Sequence, residues 1–268
     1  DVTFKREPQQ PDQDTIDYYI ATGPRRRLVN VTIAGNTYFD TETLRERMFL
    51  RPKSLALRYG RYSETFRKKD EEAIENLYEA NGFRDVKVTS SVEADYQGKS
   101  RDMAATFQIH EGQQWRVASL DVRGPNQLDI SRLRTQFASI PGQPFAEVNV
   151  ATDRNRILEY YNANGFQSAS FSYRIAPGKD PETIDLFYRI REGPRQFVRK
   201  VILSGLYRTR PKLVERAIDI RDGDPISMIK INDISRQLTD LGIFPNITNA
   251  TQHAEGPNSY QYILYQLH

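Results

Sequence analysis

Histidine is the side chain that most readily exchanges protons near neutral pH. This 268-residue chain has three, His110, His253 and His268, each isolated from the others in sequence. His110 closes an alternating apolar run and His268 is the last residue, and no pair has the spacing that sets two metal ligands on one helix face. There is no cysteine, which excludes thiolate metal sites and disulfides. No Gly-x-Ser-x-Gly elbow, phosphate loop or dinucleotide fingerprint occurs. A reactive site needs convergent groups, so these histidines read as surface or turn residues. The expectation is no catalytic residue, no cofactor and no bound metal. Two acids and two tyrosines recur, Asp70 with Asp153 and Tyr78 with Tyr161. A carboxylate repeated inside a helix is expected to support the helix's N-terminal half or to accept from backbone. The tyrosines are expected in a core or at a hinge.

Both pairs belong to a stretch that occurs twice, DEEAIENLYEANGF at 70–83 and DRNRILEYYNANGF at 153–166, identical at half of its positions at an offset of 83 residues. The flanks repeat as well. Upstream lie VNVTIAGN at 29–36, VASLDVRGPN at 117–126 and VRKVILSGL at 198–206, alternating runs stopped by Gly35, Gly124 and Gly205. Alternation of period two is the mark of a half-buried strand, and glycine can leave it with positive φ. Downstream come Val86, Val88, Ser90 and Val92 in one copy, and Ala169, Phe171, Tyr173 and Ile175 in the next. MAATFQIHEG at 103–112 and IDLFYRIREG at 184–193 follow, each completing a hairpin. Helical spacing fills the interval before the repeated stretch, first over Leu44 to Leu50, then through Phe66, Asp70, Ile74, Leu77 and Tyr78. Gly82 and Gly165 stand where a helix ends in a left-handed residue.

The fold class is therefore α+β: a tandem array of β-α-α-β-β modules, each a three-stranded mixed sheet covered on one face by two helices. Residues 26–112, 113–193 and 194–268 form three such modules. The third alters the signature to DLGIF at 240–244, and Tyr260, Tyr262, Leu264 and Leu267 mark its last strand. Residues 1–25 hold a strand pair, VTF at 2–4 and TIDYYIATGP at 15–24, the C-terminal hairpin of a preceding module. The chain reads as a piece of a longer protein. The formal charge is +3, with basic clusters at Arg25–Arg27, Arg67–Lys69 and Arg208–Arg210. Acids beside them, such as Glu71 and Glu72, favour solvated faces over a nucleic-acid surface, and no nucleic-acid partner is expected. A basic nucleic-acid-binding array remains the alternative from another class, and its affinity would fall steeply with salt.

The modules resemble polypeptide-transport-associated (POTRA) domains, the periplasmic repeats of BamA-type outer-membrane assembly factors. The resemblance is carried by Gly35-Asn36 after the first strand, by Tyr78 to Phe83 and Tyr161 to Phe166, by GQPF at 142–145, and by Glu192-Gly193-Pro194. RPKSLALRYGRY at 51–62 is longer and more basic than its counterpart around 138–145, and Gly124 is followed by proline, which leaves the subfamily open. Leu241, Gly242 and Phe244 resemble the last such domain before a membrane barrel. The resemblance implies the periplasmic portion of a Gram-negative outer-membrane protein. Its implied partners are unfolded outer-membrane proteins, accessory lipoproteins or other assembly subunits, and the protein's own C-terminal membrane β-barrel. Translocation/assembly or two-partner secretion transporters are the alternatives within the family.

A three-stranded sheet has unpaired backbone groups along its edges, to which an extended peptide can add as another strand. The resemblance places that edge on the strand after Gly-Phe. The candidate peptide-binding residues are thus Val86, Val88, Ser90 and Val92, and Ala169, Phe171, Tyr173 and Ile175. Solvated strands, or strands blocked by a neighbouring module, are the plainer reading of either edge. Leu241, Phe244, Tyr260 and Tyr262 are the candidates for contact with partners or with the barrel.

Overall fold

The computed structural model describes residues 2–10, 13–20, 26–206, 214–244, 246–253 and 259–267. Arg25, Arg208–Arg210, His268 and the side chain of His253 lie outside the described residues, as does the Gly-Pro pair at 23–24. The chain divides into two compact units, 1–114 and 115–268.

The first unit opens with β1 (Val2–Gln10) and β2 (Gln13–Ile20), an antiparallel pair forming a two-stranded sheet of its own. Phe4 and Ile16 are exposed there, as are Tyr18 and Tyr19. The module that follows runs β3 (Arg27–Ala34), α1 (Thr41–Arg47), α2 (Glu64–Glu79), β4 (Lys87–Ala94) and β5 (Asp102–His110). Its strand order is β3-β5-β4, with β5 parallel to β3 and antiparallel to β4. Asp40 caps α1 by accepting from Thr43 N at 2.7 Å, and Ser63 caps α2 by accepting from Phe66 N at 3.0 Å. Leu28, Val31, Leu44, Ile74, Phe107 and Ile109 centre its core.

The second unit repeats this plan with β6 (Arg116–Arg123), α3 (Ser131–Arg134), α4 (Glu147–Ala163), β7 (Ser170–Pro177) and β8 (Thr183–Arg191), in the order β6-β8-β7. It continues with β9 (Phe197–Ser204), helical residues at 214–215, α5 (Met228–Asp240), β10 (Ile247–His253) and β11 (Tyr260–Leu267), in the order β10-β11-β9. Each sheet has its own hydrophobic core. The expected α+β array of three-stranded mixed sheets with helices is thus the observed architecture.

One glycine position is required in all three modules. Gly35, Gly124 and Gly205 have φ of 84°, 111° and 90°. A Cβ there would lie 2.1, 1.9 and 1.8 Å from the carbonyl oxygens of Ile109, Ile190 and Leu267. The first strand therefore leaves each sheet by grazing the backbone of the central strand, and only glycine leaves room for the contact.

Two boundaries differ from the sequence reading. Leu50 is buried but outside α1, which ends at Arg47. The apolar spacing of 44–50 continues past the helix because the N–H groups of Phe49 and Leu50 are taken by a side chain from α2. Val86 and Ala169 precede their strands, which begin at Lys87 and Ser170.

Candidate functional site

The recurring acids are backbone clamps. Asp70 is fully buried in the middle of α2 and accepts from Phe49 N at 2.5 Å and Leu50 N at 2.9 Å. Asp153, equally buried in α4, accepts from Ala138 N at 2.6 Å and Ser139 N at 3.0 Å, and from the Tyr188 hydroxyl at 2.8 Å. Each ties the segment between the helices to the second helix. Of the two roles expected from the sequence, the backbone contact is the one observed. Burial pushes the Asp70 carboxyl above its ordinary range despite the two N–H donors.

Three motifs scattered along each copy meet at a second polar node, buried at Glu192 and half-buried at Glu111. Tyr78 donates its hydroxyl proton to Glu111 Oε1 at 2.6 Å, and Tyr161 to Glu192 Oε1 at 3.0 Å. Glu111 also accepts from Thr37 N and Tyr38 N, and Glu192 from Asn126 N and Gln127 N. Burial alone would raise both carboxyls, but these hydrogen bonds outweigh it and hold them below the usual range. The Gly-Asn or Gly-Pro turn, the Tyr-x-x-x-Gly-Phe helix end and the Glu-Gly ending are thus one hydrogen-bonded structure. Phe83 N and Phe166 N close the helix ends by bonding back to Tyr78 O and Tyr161 O.

Among its described residues the third module shows neither device. Aligned on Gly242, Lys230 stands in the place of Asp153 and Leu238 in that of Tyr161. Tyr265, the counterpart of Tyr188, donates to Ile231 O at 3.1 Å instead.

These nodes hold each module together. The exposed chemistry is along the sheets, where β4 and β7 are both edges, as expected. The two edges differ sharply. In the first module, Glu75 on α2 accepts from Val88 N at 2.9 Å, and Arg67 donates to Ser90 O at 3.2 Å. Val88 and Ser90 share strand parity, so both bonds use the backbone groups that point away from β5. Arg67 also bonds Ser90 Oγ, and Glu71 accepts from that hydroxyl at 2.5 Å. Glu64 grips the guanidinium from its other side, and this bond draws the Glu64 carboxyl down to about 2.

In the second module the counterparts of Arg67, Glu71 and Glu75 are Val150, Arg154 and Leu158. Arg154 donates to its neighbour Asn155 at 3.1 Å. Between α4 and β7 lies an open groove of ≈ 680 Å³, lined by Glu147, Val148, Val150, Ala151, Arg154 and Phe171 to Tyr173. Val148 is 58% exposed and Tyr173 42%.

The remaining sequence candidates are distributed as follows. Val86 and Val88 are buried in the first core, Ser90 is half-buried, and Val92 is exposed. Ala169, Phe171 and Ile175 pack against the second core. Phe244 is buried in the third core, because a Gly-x-Phe turn roots its ring as Phe83 and Phe166 root theirs, while Leu241 is exposed. On β11 the face toward the helices is Gln261, Ile263, Tyr265 and Leu267, so Tyr260 and Tyr262 lie on the opposite sheet face. His110 is exposed at the end of β5.

Sequence reasoning missed Arg67 and Glu75, taking Arg67–Lys69 for a solvated cluster, whereas the Arg67 side chain is only 17% exposed. The available signal was their replacement by Val150 and Leu158 in the second copy. GDPI at 223–226 was also missed as a second instance of GQPF: Pro144 bridges to Arg116, and Pro225 to Phe197.

Together these features define a class, a tandem array of sheet-and-helix modules with interior polar nodes, in which the strand after the second helix lies at the sheet edge. The POTRA family model, described as surface antigen variable number repeat, matches residues 27–112 and 115–193, more than half of the chain. The chain belongs to the POTRA family. It is 21% identical over 238 residues, 87% of its length, to the outer membrane protein assembly factor BamA of Neisseria meningitidis serogroup B, and covers 30% of that protein. It is likewise 21% identical over 258 residues to the BamA of Neorickettsia risticii, of which it covers 34%. The chain thus spans about a third of the length of these relatives. Among solved structures, POTRA3-5 of Haemophilus influenzae BamA is similar at a TM-score of 0.53 and 20% identity, covering 92% of this chain and 99% of that one.

Proposed function

We propose that this chain is the periplasmic scaffold of an outer-membrane protein insertion machine, a non-catalytic part that binds unfolded outer-membrane proteins and accessory subunits by strand addition. The observation that carries this reading is the strand order: in both copies the strand after Gly-Phe lies at the edge of its sheet, beside the second helix. An incoming extended segment gains main-chain hydrogen bonds there that depend little on sequence, which suits a receptor for many unfolded chains. The residues assigned to this role are Val88, Ser90 and Val92 on β4 with Val86 just before it, and Phe171, Tyr173 and Ile175 on β7 with Ala169 just before it.

The division of the chain follows from the same reading. Residues 26–112, 113–193 and 194–268 are three modules, and 1–25 is the hairpin of a preceding one. The exposed Phe4 and Tyr18 on its two strands fit a sheet face that helices would cover in a complete module. The third module is assigned to the side of a C-terminal membrane barrel, with Leu241, Tyr260 and Tyr262 available to partners and Phe244 supporting their turn from within. The relatives, named as outer-membrane assembly factors, support the setting. The test is complementation in a Gram-negative cell depleted of its own copy of the full-length protein. Deleting 195–268 should abolish outer-membrane protein assembly, and altering one upstream edge should only reduce it. Equal tolerance of both changes would contradict the reading.

A further inference from the structure

Resting on the strand-addition reading above, we infer that the two edges are not equivalent: β4 is closed by its own helix, and β7 is the open acceptor for an extended segment with apolar side chains at alternate positions. Glu75 and Arg67 already occupy the outward Val88 N–H and Ser90 C=O. They do so with charged groups, whose hydrogen bonds are about twice as strong as those between neutral amides. A guest strand would have to expel both and leave Arg67 and Glu71 without the Ser90 hydroxyl. It would return only neutral backbone bonds.

Nothing comparable guards β7. Phe171 and Tyr173 take the places of Val88 and Ser90, and among the described residues no side chain bonds their outward N–H or C=O groups. Val150 and Leu158 can neither donate nor accept. A guest therefore displaces water and not a salt-bridged network, and its alternate side chains enter the groove against Val148, Val150, Ala151 and Tyr173. Arg154, at the groove wall in the place of Glu71, adds a donor for a guest carbonyl or carboxylate. This chemistry fits an amphipathic β-strand that has not yet found its own sheet.

Because the chain has no cysteine, single cysteines report each edge without background. Thr89 and Ser172 occupy matching exposed positions on the two edge strands. The probe is a synthetic ten-residue peptide alternating valine or phenylalanine with threonine, carrying a thiol-reactive group. The peptide should couple to Ser172→Cys about tenfold more than to Thr89→Cys, the yield expected from one charge-assisted hydrogen bond left undisturbed. Arg67→Val with Glu75→Leu should raise coupling at position 89, whereas Glu75→Gln, which keeps an acceptor for Val88 N, should raise it less. Circular dichroism and melting confirm that the variants fold. Equal coupling at both positions in the otherwise unchanged chain overturns the inference while leaving strand addition standing. Coupling at neither position, in any variant, overturns strand addition itself and the inference with it.

Discussion

The first and second modules agree where they are buried and part company along one edge. Asp70 and Asp153, Tyr78 and Tyr161, and Glu111 and Glu192 bond to corresponding groups in both copies, with the Tyr188 hydroxyl as an additional donor to Asp153. Yet the helix face beside the edge strand carries Arg67 and Glu75 in one and Val150 and Leu158 in the other. The shared residues satisfy polar backbone that would otherwise be buried without partners, so any module of this plan needs them or a substitute. In the third module the corresponding positions are Lys230 and Leu238, and the Tyr265 hydroxyl donates to a backbone carbonyl. Residues that only tune an edge carry no such obligation. Function is therefore to be sought where the copies differ.

The largest effect should come from breaking what the copies share. Asp153→Ala strands two N–H groups and leaves the Tyr188 hydroxyl with Ser139 Oγ as its remaining partner, and should cost about 3 kcal/mol in urea denaturation. Asp70→Ala strands two N–H groups and should cost about 2 kcal/mol. Equal losses would mean that the Tyr188 bond adds nothing. Next, Tyr161→Phe removes one hydrogen bond to a buried carboxylate, for an expected loss of about 1.5–3 kcal/mol, and Tyr78→Phe, whose partner Glu111 is half-buried, should cost less.

Acid sharpens the comparison further. Glu111 and Glu192 have lowered values in the folded state, so their contribution is complete above the unfolded value of about 4.3 and is lost as pH falls through the folded values. Asp70 is raised, so its contribution has the opposite sign: it is present at low pH and lost as pH rises through its folded value. As pH falls through the folded values of Glu111 and Glu192 both modules should lose stability, the loss at Glu192 read from fluorescence at Trp115, which packs against the second core, and the loss at Glu111 from amide signals of the first module. The smallest effect on stability belongs to the edge itself. Tyr173→Pro removes an outward N–H and an exposed ring, and should weaken peptide capture while disturbing the melt less than Ser172→Pro, whose N–H faces β8.

The modular plan was legible in the sequence because it rests on local signals: period-two runs, helical spacing and glycines at forced conformations. The recurrence of Asp70, Tyr78 and the Glu-Gly endings marked them as structural. Their convergence on one turn was not readable, since Thr37, Tyr78 and Glu111 lie tens of residues apart and no periodicity links them. Arg67 and Glu75 looked like ordinary surface charges because what distinguishes them is a bond to a strand thirteen or more residues away. Setting the two copies side by side exposes them, as a charge in one opposite a hydrocarbon in the other. Phe244 misled for a related reason: its motif marked a special turn, and the turn's aromatic residue serves the core.

The most direct measurement is residue-resolved amide exchange on the isotopically labelled chain, with and without the alternating valine–threonine peptide. Without peptide, Val88 N–H should be protected by Glu75 and Phe171 N–H should exchange freely. With peptide, protection should appear at Phe171, Tyr173 and Ile175, alternating with residues 172 and 174, whose amides already face β8, and Val88 should not change. Protection that appears along β4, or that leaves 171, 173 and 175 untouched while the peptide binds, would contradict the account.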